Sequence, residues 1–418
     1  MAPRVVQSFS MNNRHSLTSL KIAVSLVAGL AAMVAAEAAY RGWLYFRYPQ
    51  QPTFFVLNKV NQQLDREFGL SYIPNSDALN VYIVNGIPVS LLEMNANSLG
   101  NMGREPDSYD TAPLKILVFG DSFTANGHDG VTWTDLLQET LSKTLSKRVS
   151  VVNFGRDGYG ILQIFDLAAA QVARLKPDLV IMAFISDDLT RPRFWLMSDE
   201  AKTRVFRFAM PPGEADLRRA KDNSQDSSLI DSRVTKEWFE GRRRNPTAAD
   251  PLLPSLLARR TQLENRSHHS SRFNPYWSLT SFFLYNRLVY GYPIRGALQP
   301  RGRLDSRIAY DDFAADARFG NDIATLKSLG VPYAVVHFPI FAELEAGMYL
   351  LADQERSLLQ SLTGLTGKQP IDLVQDATGV DDNRKLCMLP DNHASADGNR
   401  FYARSVGEAL IQDGIVRY

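Results

Sequence analysis

The apolar positions change their period several times along the chain. Residues 22–36, IAVSLVAGLAAMVAA, are uncharged and mostly apolar. Residues 48–112 are polar and turn-rich, with short extended pieces such as VYIVNGIPVSLL (81–92). From Leu114 a regular alternation begins. LKILVFG (114–120) is a short β-rich apolar run, predicting a strand buried on both faces. VTWTDLLQETLSKTLS (131–146) places Leu136, Leu137, Leu141 and Leu145 at helical spacing. RVSVVNFG (148–155) predicts a second strand, ILQIFDLAAAQVARL (161–175) a second helix, and KPDLVIMAF (176–184) a third strand opened by Pro177. The alternation lapses over 190–310. It returns as a helix over 310–330 ending at Gly330, a strand VPYAVVHFP (331–339), a helix QERSLLQSLTGL (354–365), a short strand PIDLV (370–374) and a closing helix over 396–414.

Strands alternating with helices of this length imply a parallel sheet covered on both faces. The expected fold is a three-layer α/β/α sandwich around about five parallel strands, preceded by an N-terminal transmembrane helix. The chain then divides into an arm (1–19), a membrane segment (20–40), a lead-in (41–112) and a main domain (113–418) with an insert at 190–310. Within the insert, EGRRRNP (240–246) reads as a solvated basic surface, and YWSLTSFFLYNRLVYGY (276–292) as a helix capping the core.

Composition narrows the function. The chain has 418 residues and a formal net charge of +1, so no global basic field argues for nucleic acid. Cys387 is the single cysteine, which excludes a disulfide framework and a Cys-rich metal site. His268 and His269 lack partners at ligand spacing, and no cofactor or metal is expected. Residues 1–21 carry Arg4, Arg14 and Lys21 and no acid, and Trp43, Tyr45 and Phe46 follow the apolar run. That order predicts a single-pass anchor from Leu20 to Tyr40, N-terminus cytoplasmic and body exported. The alternative is a cleaved signal peptide, with Ala36-Glu37-Ala38 as the site.

In open parallel sheets, ligands bind beyond the carboxyl ends of the strands. Strand one ends in Gly120-Asp121-Ser122, strand two in NFGRDG (153–158), strand three in Ser186-Asp187-Asp188. Asp391-Asn392-His393 precedes the closing helix. Together these supply a serine, glycines with free N–H groups, and a carboxylate near a histidine, the parts needed for nucleophilic acyl transfer. Asp121 reads as a helix cap, Asn153 as a strand-end residue shaping its loop, and His337 as a satisfied core histidine. His128 lies close enough in sequence to line a pocket.

GDSF (120–123), NFGRDGYG (153–160), FISDDL (184–189) and DNHASADGNRFYA (391–403), in this order on alternating strands and helices, resemble the GDSL or SGNH hydrolase superfamily. NANSLGNMGRE (95–105) resembles the approach segment of its membrane-anchored bacterial members. The resemblance covers roughly 112–190 and 310–415. It implies Ser122 as nucleophile, His393 as general base and Asp391 as the acid orienting it. The backbone N–H groups of Ser122 and Gly158 would then face the oxyanion. The family's third donor is an asparagine side chain, and here Asp187 stands in its place. An ionised aspartate only accepts hydrogen bonds. Asp187 is therefore protonated, turned away, or the mark of a weakened site.

The resemblance implies a serine esterase acting through an acyl-enzyme on an O-acyl ester, O-acetyl included, of an envelope glycan or lipid, with no nucleic-acid partner. Two alternatives stand beside it. One is a cell-surface polysaccharide O-acyltransferase. The other is a non-catalytic glycan-binding module, which Asp187 favours.

Overall fold

The computed structural model describes residues 11–47, 53–58, 61–84, 86–106, 109–198, 205–208, 210–214, 229–267, 316–346, 362–363, 367, 369–377, 379–388 and 392–417. By itself, the N-terminal segment is one long helix, α1 (Met11–Arg47). Its stretch Leu20–Tyr40, 21 residues of mean hydropathy 2.0, is long and apolar enough to cross a membrane.

Most of the remaining described residues belong to a second compact unit. It begins with strands β1 (Thr53–Leu57), β2 (Gln62–Asp65), β3 (Gly69–Tyr72), β4 (Asp77–Val84) and β5 (Ile87–Asn95). β2 and β3 form a hairpin, while β1, β4 and β5 pair antiparallel. The lead-in is thus folded. Its sheet has a small core of its own, where Val56, Val81, Ile83 and Leu91 pack with Val234, Phe239, Leu252 and Leu256 from the later insert.

The alternating region then follows as β6 (Leu114–Gly120), α2 (Ser122–Ala125), α3 (Trp133–Leu145), β7 (Val149–Gly155), α4 (Ile161–Leu175) and β8 (Leu179–Ile185). A capping box starts α3: Thr132 Oγ1 accepts from Asp135 N (3.2 Å) and Asp135 Oδ2 accepts from Thr132 N (2.8 Å). The insert contributes a hairpin of β9 (Trp195–Ser198) and β10 (Val205–Phe208), and β11 (Leu229–Ile230), which joins the lead-in sheet parallel to β1. Helices Lys236–Arg244 and Leu252–Ser267 come next. The first contains the basic run, but Arg242 is buried and donates to the carbonyls of Pro246 and Ala248, so the run is not uniformly solvated. The aromatic stretch 276–292 and the residues 354–361 of one expected helix lie outside the described residues.

After the helix Ala317–Ser328 come β12 (Tyr333–Phe338), β13 (Ile371–Asp372) and the closing helix Ala396–Gln412. The strand expected over 370–374 is only two residues long. Leu373 already opens a helical turn, whose start Asp372 caps by accepting from Val374 N (2.9 Å). The main sheet has five strands, all parallel, in the order β13-β12-β8-β6-β7.

Side chains alternate across this sheet with period two. Leu117, Phe119, Val180, Met182 and Val335 face one layer, with α4, Phe319 and Ile323. Ile116, Val118, Ile181, Ala183 and Val336 face the other, with Trp133, Leu137, Tyr402 and Val406. Both faces are covered, which is why these strands read as unbroken apolar runs. The result is the α/β/α sandwich. The chain leaves β6 for β7 on one side and returns to β8 on the other. That reversal places a crevice beyond the carboxyl end of β6.

Candidate active site

Ser122 is the first residue of α2, directly past the end of β6. Asp121 caps this turn: its Oδ1 accepts from Phe123 N at 2.8 Å, and the residue is wholly buried. The turn sits tightly on β7. A Cβ on Gly155 would come within 2.5 Å of Ala125 N, so only glycine fits. Asn153 ties the two strand ends together, donating from Nδ2 to Thr124 O (2.8 Å) and accepting from Gly155 N (2.8 Å).

His393 reaches the serine from the other end of the chain. Its Nε2 lies 2.8 Å from Ser122 Oγ. The imidazole rests on the Phe123 ring, centroids 4.9 Å apart. Its backbone is fixed just before the closing helix, where Met388 N donates to His393 O at 2.8 Å and Ser395 N to Leu386 O at 3.0 Å. Both Ser122 and His393 are partly exposed. Asp391 lies outside the described residues.

Gly158 has φ +71°, a left-handed conformation that glycine adopts without strain. The loop carrying it is braced by the lead-in hairpin. Asp157 N donates to the Tyr72 hydroxyl at 3.0 Å, and Gln62 Nε2 donates to Asp157 Oδ2 at 3.0 Å. Tyr159 donates from its hydroxyl to Phe68 O at 2.6 Å. Burial pushes the Asp157 carboxyl up to about 6; Asp121 adds to the shift, and a protonated His393 opposes it.

Asp187 is exposed, on the 3-10 turn Ser186–Thr190 that follows β8. Asp188 behind it is fully buried and accepts from Ile185 N at 2.9 Å. Arg191 answers this acidity. Its Nη1 contacts Asp188 Oδ1, and Asp121 Oδ2 at 3.2 Å. Burial works against the Arg191 charge, but Asp188, Asp121 and Asp187 outweigh it and hold its pKa raised. Asp188 is itself pushed well up by burial and by Asp121, with Arg191 opposing.

Arg191 and Asp157 are site residues that the strand-end reading passed over. Asp157 stood inside the quoted NFGRDGYG. The i,i+3 spacing of Asp188 and Arg191 was the available signal for the ion cluster.

Asp121 and His337 take the places expected of them. His337 is buried, stacked on Phe184 at 4.7 Å, with Nε2 3.0 Å from Ser186 Oγ. His128 Nδ1 lies 3.3 Å from Asp129 Oδ2. Among the described residues no group of three or more His, Cys, Asp and Glu could hold a metal ion.

The profile of the family described as GDSL-like Lipase/Acylhydrolase matches residues 116–278. No curated protein matches the chain. Solved structures similar to it include a lipase/acylhydrolase from Enterococcus faecalis, 12% identical, TM-score 0.35, covering 72% of this chain and 96% of that one. They also include a Clostridium thermocellum family 3 carbohydrate esterase, 12% identical, TM-score 0.30, covering 72% and 96%. An acetyl-xylooligosaccharide esterase from Geobacillus is 12% identical, with TM-score 0.33 and coverage of 72% and 94%.

Proposed function

This chain belongs to the GDSL/SGNH hydrolase superfamily, whose chemistry is ester hydrolysis, and from that premise we propose that it cleaves a carboxylic ester through an acyl-enzyme on Ser122. The observation that carries this reading is the 2.8 Å contact between His393 Nε2 and Ser122 Oγ. A base within hydrogen-bond reach is what a weakly nucleophilic hydroxyl requires.

In the first half-reaction Ser122 Oγ attacks the ester carbonyl carbon and its proton moves to His393 Nε2. The tetrahedral intermediate collapses, the carbon–oxygen bond to the alcohol breaks, and the alcohol leaves with the proton from His393. Water then repeats the sequence, releasing the acid and restoring the serine. Asp391 is proposed to hold His393 in the productive tautomer. The backbone N–H groups of Ser122 and Gly158 are proposed to receive the developing oxyanion. Asp187 would stand at the third position. Its exposure and the field of Arg191 support a site that is modified and still works.

The proposed substrate is an O-acyl ester, O-acetyl included, on an envelope glycan or a lipid. The α1 span is read as an anchor with its N-terminus cytoplasmic, which sets the enzyme on the exported side. Labelling of the purified full-length protein by a fluorophosphonate tests the reading before any substrate is known. Wild type should label and Ser122→Ala should not; equal labelling of both would remove Ser122 from the role. A wild-type protein that binds glycan but never labels would favour the non-catalytic reading.

A further inference from the structure

We infer that Asp157 is a positioning residue for the acyl transfer proposed above: a second carboxylate, besides Asp391, placed to stabilise the imidazolium that His393 becomes. The inference rests on the Ser122–His393 reading and adds to it.

The placement follows from strand register. Gly120 pairs with Gly155 at the ends of β6 and β7, and Arg156 N donates back to Gly120 O at 2.9 Å. Ser122 and Asp157 each lie two residues beyond those paired glycines. They leave neighbouring strands side by side, and His393 sits on Ser122.

The state of the carboxyl group is unusual. Gln62 donates to Oδ2 and the Tyr72 hydroxyl also stabilises the carboxylate, yet burial still pushes the group up. The nearby guanidinium groups donate to other partners. Arg156 donates to Gly155 O (2.9 Å) and Asn101 Oδ1 (3.0 Å), and Arg191 binds Asp121 and Asp188. A buried carboxylate that has only neutral donors costs free energy in the resting enzyme. A cation whose field reaches it is His393, and near neutral pH that charge appears when the imidazole takes the serine proton. An interaction stronger in the transition state than in the ground state lowers the barrier. Asp157 is therefore held, by two groups of the lead-in hairpin, in a position that costs stability at rest and is compensated during catalysis.

The charged and titratable groups facing this pair are Asp121 from the nucleophile turn, Tyr72 from β3, and His393 itself; Gln62 from β2 completes the surround. The test uses the purified full chain as wild type, Asp157→Asn and Asp157→Glu. Two quantities are followed from acid to neutral pH: kcat/KM for p-nitrophenyl acetate, and the second-order rate of fluorophosphonate labelling. Both acid limbs report the His393 titration in the free enzyme, coupled to that of Asp157. Removing a neighbouring negative charge lowers that pKa. The acid limbs of Asp157→Asn should therefore move down by roughly one unit, with a plateau about tenfold lower. Asp157→Glu should restore much of both.

A purely structural role would lower the plateau and leave the limb in place. An unmoved limb in a folded Asp157→Asn overturns the inference. If that variant does not fold, Gln62→Met removes a donor that stabilises the Asp157 charge. It should move the limb the same way by less, and no movement there overturns the inference too. A wild-type protein that never labels overturns the Ser122 reading itself, and this one with it.

Discussion

Two serine–histidine pairs stand at the carboxyl edge of the same sheet. Ser122 and His393 meet at 2.8 Å, Ser186 and His337 at 3.0 Å. Distance does not separate them; their surroundings do. Ser122 and His393 are partly exposed, at the crevice where the strand order reverses. Ser186 and His337 are buried. The proton inventory differs as well. Ser186 donates its single proton to Glu343 Oε1 at 2.5 Å, so the His337 nitrogen facing it must be the donor. A histidine that donates to a serine cannot deprotonate it. Burial also holds the His337 pKa down to about 3, so the ring is neutral across the ordinary range. The second pair locks β8 and β12 to the segment carrying Glu343. The first is the pair proposed to move a proton.

The sharpest way to break this contrast is to delete each serine. Ser122→Ala should cut ester turnover by about 10⁴-fold or more, and His393→Ala by a comparable factor, because nucleophile and base act as one unit. Turnover of p-nitrophenyl acetate by the full-length protein measures both. Near-normal activity in Ser122→Ala would end the assignment.

Next in size is the change at Asp187. If its charge weakens the oxyanion site, Asp187→Asn should raise kcat near neutral pH by about tenfold, a fraction of what one preorganised donor supplies. A fall in kcat would show that the aspartate has a positive role of its own, alongside the attraction between it and Arg191.

How much of this was readable in advance differs between the layers. The strands β6, β7, β8 and β12 were legible because burial on both faces leaves long apolar runs. Ser122 and His393 were legible from strand-end position and motif order. The lead-in sheet was legible only in its 81–92 piece, because its pairing of β1 with β11 joins Val56 to Leu229 across the whole of β2–β10. No local period reports such a contact. The 370–374 run failed for another reason: a short apolar stretch fits a strand or a helical turn equally, and Asp372 decides the matter by capping. Arg242 was hidden by its charge, since a run of arginines does not say which one the helix turns inward. Asp157 was quoted but not weighed, because nothing in the sequence tells that Gln62 and Tyr72 come to meet it.

Ser186→Ala should leave turnover near wild type and lower stability. The change removes one hydrogen bond to a buried Glu343 oxygen and one with His337, and each such bond contributes about 0.5–1.5 kcal/mol. Chemical denaturation measures it. A large loss of kcat with unchanged stability would place Ser186 in the catalytic machinery and dissolve the distinction between the pairs.

The last contrast concerns pH. His337 binds a proton in the unfolded chain below its ordinary 6.5, but in the folded chain only near 3. Between those values the unfolded state holds more protons, so stability falls as pH falls through that window. Above about 6.5 the contribution is fully present. The slope from one such group approaches about 1.4 kcal/mol per pH unit. His337→Gln keeps a polar side chain and removes the titration, so its melting temperature should decline less steeply with acid than wild type, whatever its value at neutral pH. Parallel curves for wild type and His337→Gln would mean that the buried ring is not kept neutral by the fold, and one of the differences between the two histidines would fall.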